Sequence, residues 1–272
     1  MAHRLFEAKD HAASYWKYRI SPSDQLIQRV LEFVKKQVGG QPPNIEKIKG
    51  GGGGGGGGGR LSGPHAILDI KKCFFCCFFV DNSTFRQCVA EELPFADSSV
   101  DLITAMSAFH WFDRARFLQE AYRVLKPRGC LALLNYTLDM ELAYPGCCQQ
   151  SLNQVCKEFY AALHPYRSTI LGPKSIELYR EAYNSIPYAD KEWNEGMWVK
   201  KSMPLSSYMG FVESFSSYQA LLREDPQKAN RLSQDICQRL MSVMKVTSAE
   251  TEVVLSVKYF YLLASKNGSD DA

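Results

Sequence analysis

An α/β fold built around a parallel sheet is what this sequence predicts, and three adjoining segments predict it. The short apolar run in "SSVDLITAMSAF" follows the turn-forming "FADSS", as a buried strand would. "DRARFLQEAYRVLKPRG" then has the spacing of an amphipathic helix, and "CLALLNY" is a second buried strand. Strand, helix and strand with short connections make a βαβ unit, which implies parallel strands and a right-handed crossover.

The elements before this unit divide in two. Residues 1–38 read as helical, with Leu26, Val30, Phe33 and Val34 at helical spacing and Ser21-Pro22-Ser23-Asp24 as a start signal. "GGQPPN" breaks that pattern and ten glycines follow, Gly50 to Gly59. Such a run matches every glycine-rich nucleotide-binding pattern. It follows "NIEKIK" rather than a strand ending in an acid and leads into "RLSGP" rather than a helix, so it reads as a flexible linker. It is the only support for a nicotinamide-dependent oxidoreductase, which is set aside with it. "HAILDIKKC" reads as the first strand, with its carboxyl end near Asp69, and "CFFCCFFV" either fills a strand slot or leaves an apolar segment exposed.

In the unit itself, the strands are expected at residues 100–105 and 130–135 and the helix at residues 114–125. Asp113 is the expected N-cap, and Phe117, Leu118, Ala121, Val124 and Leu125 form one apolar face. Lys126-Pro127-Arg128-Gly129 ends the helix with charge, proline and glycine in order. Beyond it, helices are expected at residues 151–163, 174–185, 205–223 and 225–244, with "MWVKKSMPL" as a candidate strand. "EVVLSVKYFYLLASK" closes the sheet as a last strand. The organisation expected is a helical cap (1–43), an atypical segment (44–82), and a core (83–272) with a helical insertion at about 137–245.

Composition excludes several function classes. The chain has 272 residues and a formal charge of +3, with basic residues scattered rather than striped, so no nucleic-acid partner is expected. The apolar run from Cys73 to Val80 is far short of the ~20 residues a membrane span requires. The opening "MAHRLFEAKDHAASYWKYR" has no apolar h-region, and a cytoplasmic protein is expected. Most of the nine cysteines are then expected to be reduced thiols. Cys73 and Cys76 make a C-x-x-C that lacks a second ligand pair, and no metal is expected.

Ligands of open parallel sheets sit outside the carboxyl ends of the strands. "MSAFHWFD" and "NYT" are the two ends that can be named, and the first places Ser107, His110, Trp111 and Asp113 at a strand-to-helix turn. Two readings stand open. In one, Trp111 lines a pocket and packs on a cation or substrate while His110 moves a proton. In the other, Trp111 and Phe112 are core and His110 is a surface residue.

"VAEELPFADSSVDLITAMSAFHWFDRARFLQEAYRVLKPRGCLALLNY" resembles the core of class I S-adenosylmethionine-dependent methyltransferases, and most resembles the small-molecule, trans-aconitate methyltransferase-like branch. The A-E-x-L-P-F-x-D-x-S-x-D-L-I block, the H-W-F-D and the R-V-L-K-P-x-G turn carry the likeness. The opening "FEAKDHAASYWKYRISPSDQL" is similar to the family's first segment. The resemblance implies a Rossmann-like class I methyltransferase sheet, S-adenosylmethionine as donor and a small-molecule acceptor. Carried over by position, Ala90 and Glu91 lie beside the adenine, Leu93 packs near the same ring, and Ser107, His110 and Trp111 flank the methionine part and the acceptor. Tyr15, Tyr18 and Arg19 correspond to the element that covers the donor.

The likeness fails over residues 44–82. The family's first strand ends in an acid followed by G-x-G-x-G. Asp69 stands at the acid's place, with Lys71, Lys72 and Cys73 where the glycines belong. The 21 residues between Asp69 and Glu91 are too few for the missing helix, strand and helix. This segment reads as sequence replacing the donor half-site, whether from an altered exon or a degenerate isoform. The expectation is a methyltransferase-type chain that binds its donor poorly, with a non-catalytic protein of the same fold as the alternative.

Overall fold

The computed structural model describes residues 17–18, 20, 22–38, 67–71, 76–79, 85–86, 88–168 and 175–268, without the side chains of residues 67–71, 76–79 and 85–86. The glycine run, Tyr15, Arg19 and the side chain of Asp69 lie outside this description.

The strands are β1 (Ile67–Lys71), β2 (Cys76–Phe79), β3 (Phe85–Arg86), β4 (Val100–Met106), β5 (Leu125–Ala143), β6 (Asp190–Pro204) and β7 (Glu252–Ser265). They form one sheet in the order β3-β2-β1-β4-β5-β7-β6. The helices are α1 (Asp24–Val38), α2 (Arg114–Val124), α3 (Gln149–Ala162), α4 (Ser175–Ser185), α5 (Leu205–Glu213), α6 (Ser216–Glu224) and α7 (Pro226–Met244). No helix among the described residues is long and apolar enough to cross a membrane.

The central βαβ unit stands as its periodicity predicts. β4 and β5 are parallel neighbours, with Leu102 opposite Cys130 and Met106 opposite Leu134, and α2 joins them. Asp113 caps α2 by accepting from the Arg116 N–H at 3.3 Å, and Phe117, Ala121 and Val124 bury its inner stripe. At its other end the Lys266 ammonium donates to the carbonyls of Tyr122 and Leu125, both at 2.8 Å, where the helix dipole favours a cation.

β5 starts earlier than residue 130. Between two registered pairs β4 advances from Val100 to Leu102 while β5 advances from Leu125 to Cys130, so "KPRG" bulges out of the ladder. Pro127 cannot donate to the ladder, and Arg128 takes the left-handed φ of 63°. The backbone closes on itself at Gly129, where a Cβ would meet the Lys126 carbonyl oxygen at 2.8 Å and that of Val100 at 3.1 Å. Gly129→Ala is therefore expected to cost about 1–3 kcal/mol, read from the urea unfolding midpoint. An unchanged midpoint contradicts the close approach.

The first half of the sheet departs from an all-parallel arrangement. β1 is parallel to β4, with Asp69 opposite Thr104, and "CFFCCFFV" fills a strand slot as β2. Yet β2 runs antiparallel to β1, with Lys71 opposite Cys76, and β3 runs antiparallel to β2. Four residues, 72–75, separate β1 from β2, which leaves no room for a crossover helix.

The sheet and the remaining helices fall into two compact units. One comprises Ser21–Tyr136, Pro173–Met197 and Tyr259–Ala272, the other Met1–Ile20, Thr137–Gly172 and Trp198–Lys258. The core of the first gathers Ile103, Ala105, Phe109, Phe117, Leu131, Leu133, Tyr179 and Phe260. In that unit α1 buries Leu26, Val30, Phe33 and Val34, and Ser23 Oγ accepts from the Leu26 N–H at 3.1 Å at its start. The other unit holds α3, α5, α6 and α7, with Phe159, Tyr208 and Tyr218 buried among them.

The expected helix 205–223 is two helices. Ser214 turns its hydroxyl back to the Phe211 carbonyl at 2.6 Å, and Phe215 is extended with ψ of 142°. The polar stop wins over an apolar spacing that continues through both pieces. The candidate strand "MWVKKSMPL" is the second half of β6, and the closing strand is β7.

Candidate active site

β4 ends at Met106, opposite Leu134, so Ser107 and Asn135 are the next residues beyond the paired ladder. This is the carboxyl edge beside β1, where the strand order reverses and ligand crevices form. Ser107 holds a left-handed φ of 51°, rare for a residue with a Cβ. Two bonds to β5 hold it there. Its N–H donates to the Leu134 carbonyl at 2.8 Å, and its hydroxyl donates to Asn135 Oδ1 at 2.9 Å.

The chain then makes a single 3₁₀ turn, Phe109–Trp111. Phe109 enters the core, with its ring centroid 5.1 Å from that of Tyr179 and 5.8 Å from that of Phe117. His110 is buried, its Nδ1 lying 3.2 Å from the Tyr179 hydroxyl and 3.5 Å from Asn135 Nδ2. Trp111 is half-buried, with its ring 5.2 Å from that of His110. The plainer sequence reading is thus wrong for two residues and right for one. Phe109 rather than Trp111 fills the core, His110 is not at the surface, and Phe112 does pack against the core.

Before β4, the segment from Ala90 to Phe95 is fastened to α2. Ala90 and Leu93 are buried and Glu91 is half-buried. Glu91 Oε1 accepts from the Asp113 N–H at 2.7 Å, two residues after Trp111. Glu120 Oε1 accepts from the Leu93 N–H at 2.7 Å, and Arg123 donates to the carbonyls of Leu93 at 3.0 Å and Phe95 at 2.8 Å. Arg123 also donates to Glu120 at 2.6 and 2.9 Å and to Asp97 at 2.6 Å.

The Arg123 guanidinium, then the Leu93 N–H, hold the Glu120 carboxyl below its ordinary value of 4.5, against the opposing effect of burial. A depressed carboxyl stabilises the fold above its unfolded pKa and loses that contribution as pH falls through the folded value. Stability is therefore expected to fall below about pH 4.5, and Glu120→Gln to flatten that acid limb in urea titrations. An equally steep acid limb in the variant contradicts the clamp.

The structure brings Ser107 and His110 into one network, sets Trp111 against His110, and links Glu91 to the turn that carries both. Tyr18 belongs to the other unit, where a Cβ on Gly210 would lie 2.5 Å from its ring. Asp69 is placed by backbone register alone, opposite Thr104. Tyr179 was not legible in the sequence. Asn135 stood in the quoted strand end "NYT" without a role.

The residues that an S-adenosylmethionine molecule would meet in the proposed site differ in character. Ala90 and Leu93 pack into the core of the first unit, and Glu91 holds a carboxylate with one oxygen fixed by the Asp113 N–H. After β1 the sheet continues into an antiparallel neighbour, β2, with Lys71 opposite Cys76.

Residues 74–133 match the family model of a methyltransferase domain. A "putative methyltransferase" of Dictyostelium discoideum is 24% identical over 186 residues, 68% of this chain and 67% of the relative. An uncharacterized methyltransferase of Schizosaccharomyces pombe is 27% identical over 172 residues, 62% of each chain. The chain thus spans about two thirds of the length of these relatives. The solved structure of a "putative type II methyltransferase" from Anaeromyxobacter dehalogenans superimposes with a TM-score of 0.51 at 19% identity, over 66% of this chain and 70% of that one. The chain has the Rossmann-like class I methyltransferase fold, and residues 74–133 are similar to a methyltransferase domain.

Proposed function

We propose that this chain, built on the class I methyltransferase fold, serves methyl transfer from S-adenosylmethionine to a small-molecule acceptor, and that as written it binds the donor weakly. The observation that carries the reading is the meeting of Ser107, His110, Asn135 and Tyr179 at the carboxyl end of β4, where its pairing with β5 stops, beside the reversal of strand order. The trans-aconitate methyltransferase-like branch, a cytoplasmic location and the division at residues 1–43, 44–82 and 83–272 belong to the same proposal.

A bound donor supplies a methyl group already activated on sulfonium. What is left to the protein is alignment and exclusion of water. In this reading Ala90 and Leu93 pack the adenine and Glu91 faces its edge. Tyr15, Tyr18 and Arg19 cover the donor, and Asp69 is the acid at the end of β1. Trp111 offers an aromatic face to the cation, and Ser107 and His110 hold polar atoms of the methionine part and the acceptor.

The second reading is a non-catalytic protein of this fold that acts through protein contacts, and the β1–β2 step favours it. Incubation with methyl-labelled S-adenosylmethionine at about millimolar concentration, with carboxylate, hydroxyl, amine and thiol small molecules, separates the two. Slow labelling of one class, lost in Trp111→Ala, is expected. Folded protein that moves no label at that donor concentration leaves the non-catalytic reading.

A further inference from the structure

Four polar side chains are buried together at this edge: Ser107, His110, Asn135 and Tyr179 are 8%, 5%, 6% and 0% exposed. They come from the end of β4, the 3₁₀ turn, β5 and α4. Buried polar groups must be paired, and the pairing constrains where each proton can be. The Ser107 hydroxyl donates to Asn135 Oδ1, which turns the amide so that Nδ2 faces His110 Nδ1. An amide N–H can only donate. An imidazole nitrogen facing an amide N–H presents its lone pair, and the Tyr179 hydroxyl, 3.2 Å from the same nitrogen, is placed to donate to it. A neutral ring whose Nδ1 is unprotonated carries its hydrogen on Nε2.

We infer that Asn135 and Tyr179 are positioning residues that lock His110 as the neutral Nε2–H tautomer. This inference rests on the proposed methyl-transfer site and sharpens the part His110 plays in it. His110 then acts as a hydrogen-bond donor through Nε2 toward a bound oxygen and is not the base that deprotonates the acceptor. The left-handed backbone of Ser107 belongs to the same device. Its two bonds to β5 hold the hydroxyl where it fixes the rotation of the Asn135 amide.

The opposite arrangement differs by one amide flip. With Asn135 Nδ2 donating to Ser107 Oγ, Oδ1 would draw the imidazole proton onto Nδ1. Nitrogen-15 spectra of ligand-free protein labelled at histidine tell the two apart at neutral pH, with His110→Gln identifying the resonances. The expected spectrum has a protonated Nε2 and an unprotonated Nδ1, with no averaging. A proton on Nδ1, or averaging between tautomers, overturns the inference.

The variants assign the lock to its residues. Asn135→Asp replaces the amide donor by a carboxylate acceptor and is expected to move the proton to Nδ1. An unchanged spectrum removes Asn135 from the lock. Tyr179→Phe removes a donor from Nδ1 and is expected to lose the single-tautomer signature. An Nε2–H spectrum as sharp as in the parent removes Tyr179. If Asn135→Asp does not fold, Ser107→Ala frees the amide and is expected to average the tautomers, and an unaveraged spectrum contradicts the lock. All these spectra are read without donor. A chain that shows the Nε2–H tautomer yet moves no methyl label contradicts the functional reading alone.

Discussion

Phe109→Ala is expected to lower unfolding free energy by about 3–5 kcal/mol, the range for removing a fully buried aromatic ring. Phe109 has no exposed surface and touches three other rings, with centroids 5.1 Å from Tyr179, 5.8 Å from Phe117 and 6.4 Å from Phe112. Those partners come from α4, α2 and the loop after the 3₁₀ turn, so the cavity opens where three elements converge. Rigid strands on one side and helices on the other limit its collapse, which puts the cost high in the range. The ring also packs beside the residue that hydrogen-bonds His110, so the Tyr179 hydroxyl should lose its fixed position as well. Urea unfolding measures the first effect. A loss below about 1 kcal/mol would mean that the turn repacks freely, against the packing described for it.

The second large effect is on donor affinity. In the proposed reading, the donor's carboxylate and ribose would need a glycine turn leading into a helix, where backbone N–H groups point at the ligand. β1 instead passes within four residues into β2, and that segment of the sequence holds lysines, cysteine and phenylalanines rather than glycines. Losing two or three hydrogen bonds, at about 1 kcal/mol each and more for charged ones, weakens binding roughly tenfold to a thousandfold. Ligand stabilisation follows RT ln(1 + [L]/Kd), so addition of donor at about 100 μM should hardly raise the melting temperature. A rise of several degrees at that concentration contradicts the estimate.

The central βαβ unit was legible because its signals are local. The stripe of Phe117, Ala121 and Val124, the cap at Asp113 and the stop at "KPRG" each act within a few residues. The extension of β5 back to Leu125 depends on pairing with β4 and on the Lys266 backbone, which bonds to Arg128 and Gly129 from the far end of the chain. No window on residues 125–129 holds that information. The break at Ser214 is hidden for a related reason: Phe211, Phe215 and Tyr218 sustain an apolar pattern through it, and only the hydroxyl's bond to Phe211 marks the end.

The candidate site was half legible. Ser107, His110 and Trp111 lie in one short stretch at a strand end, and topology alone says that ligands gather there. Which ring of "FHWF" turns inward is decided by the 3₁₀ turn, and Phe109 was passed over for Trp111. Tyr179 reaches His110 across 69 residues of sequence from a helix with no motif of its own. Its burial on α4 beside Ala182 reads as ordinary core until the fold shows the hydroxyl's partner.

Calorimetric titration of the purified 272-residue chain with S-adenosylmethionine and with its demethylated product decides the matter. A donor half-site lost at the β1–β2 step predicts no saturable heat at micromolar ligand, with binding only at far higher concentration or not at all. Micromolar affinity for either ligand would contradict it, and would mean that the segment after Asp69 forms a donor loop of another kind.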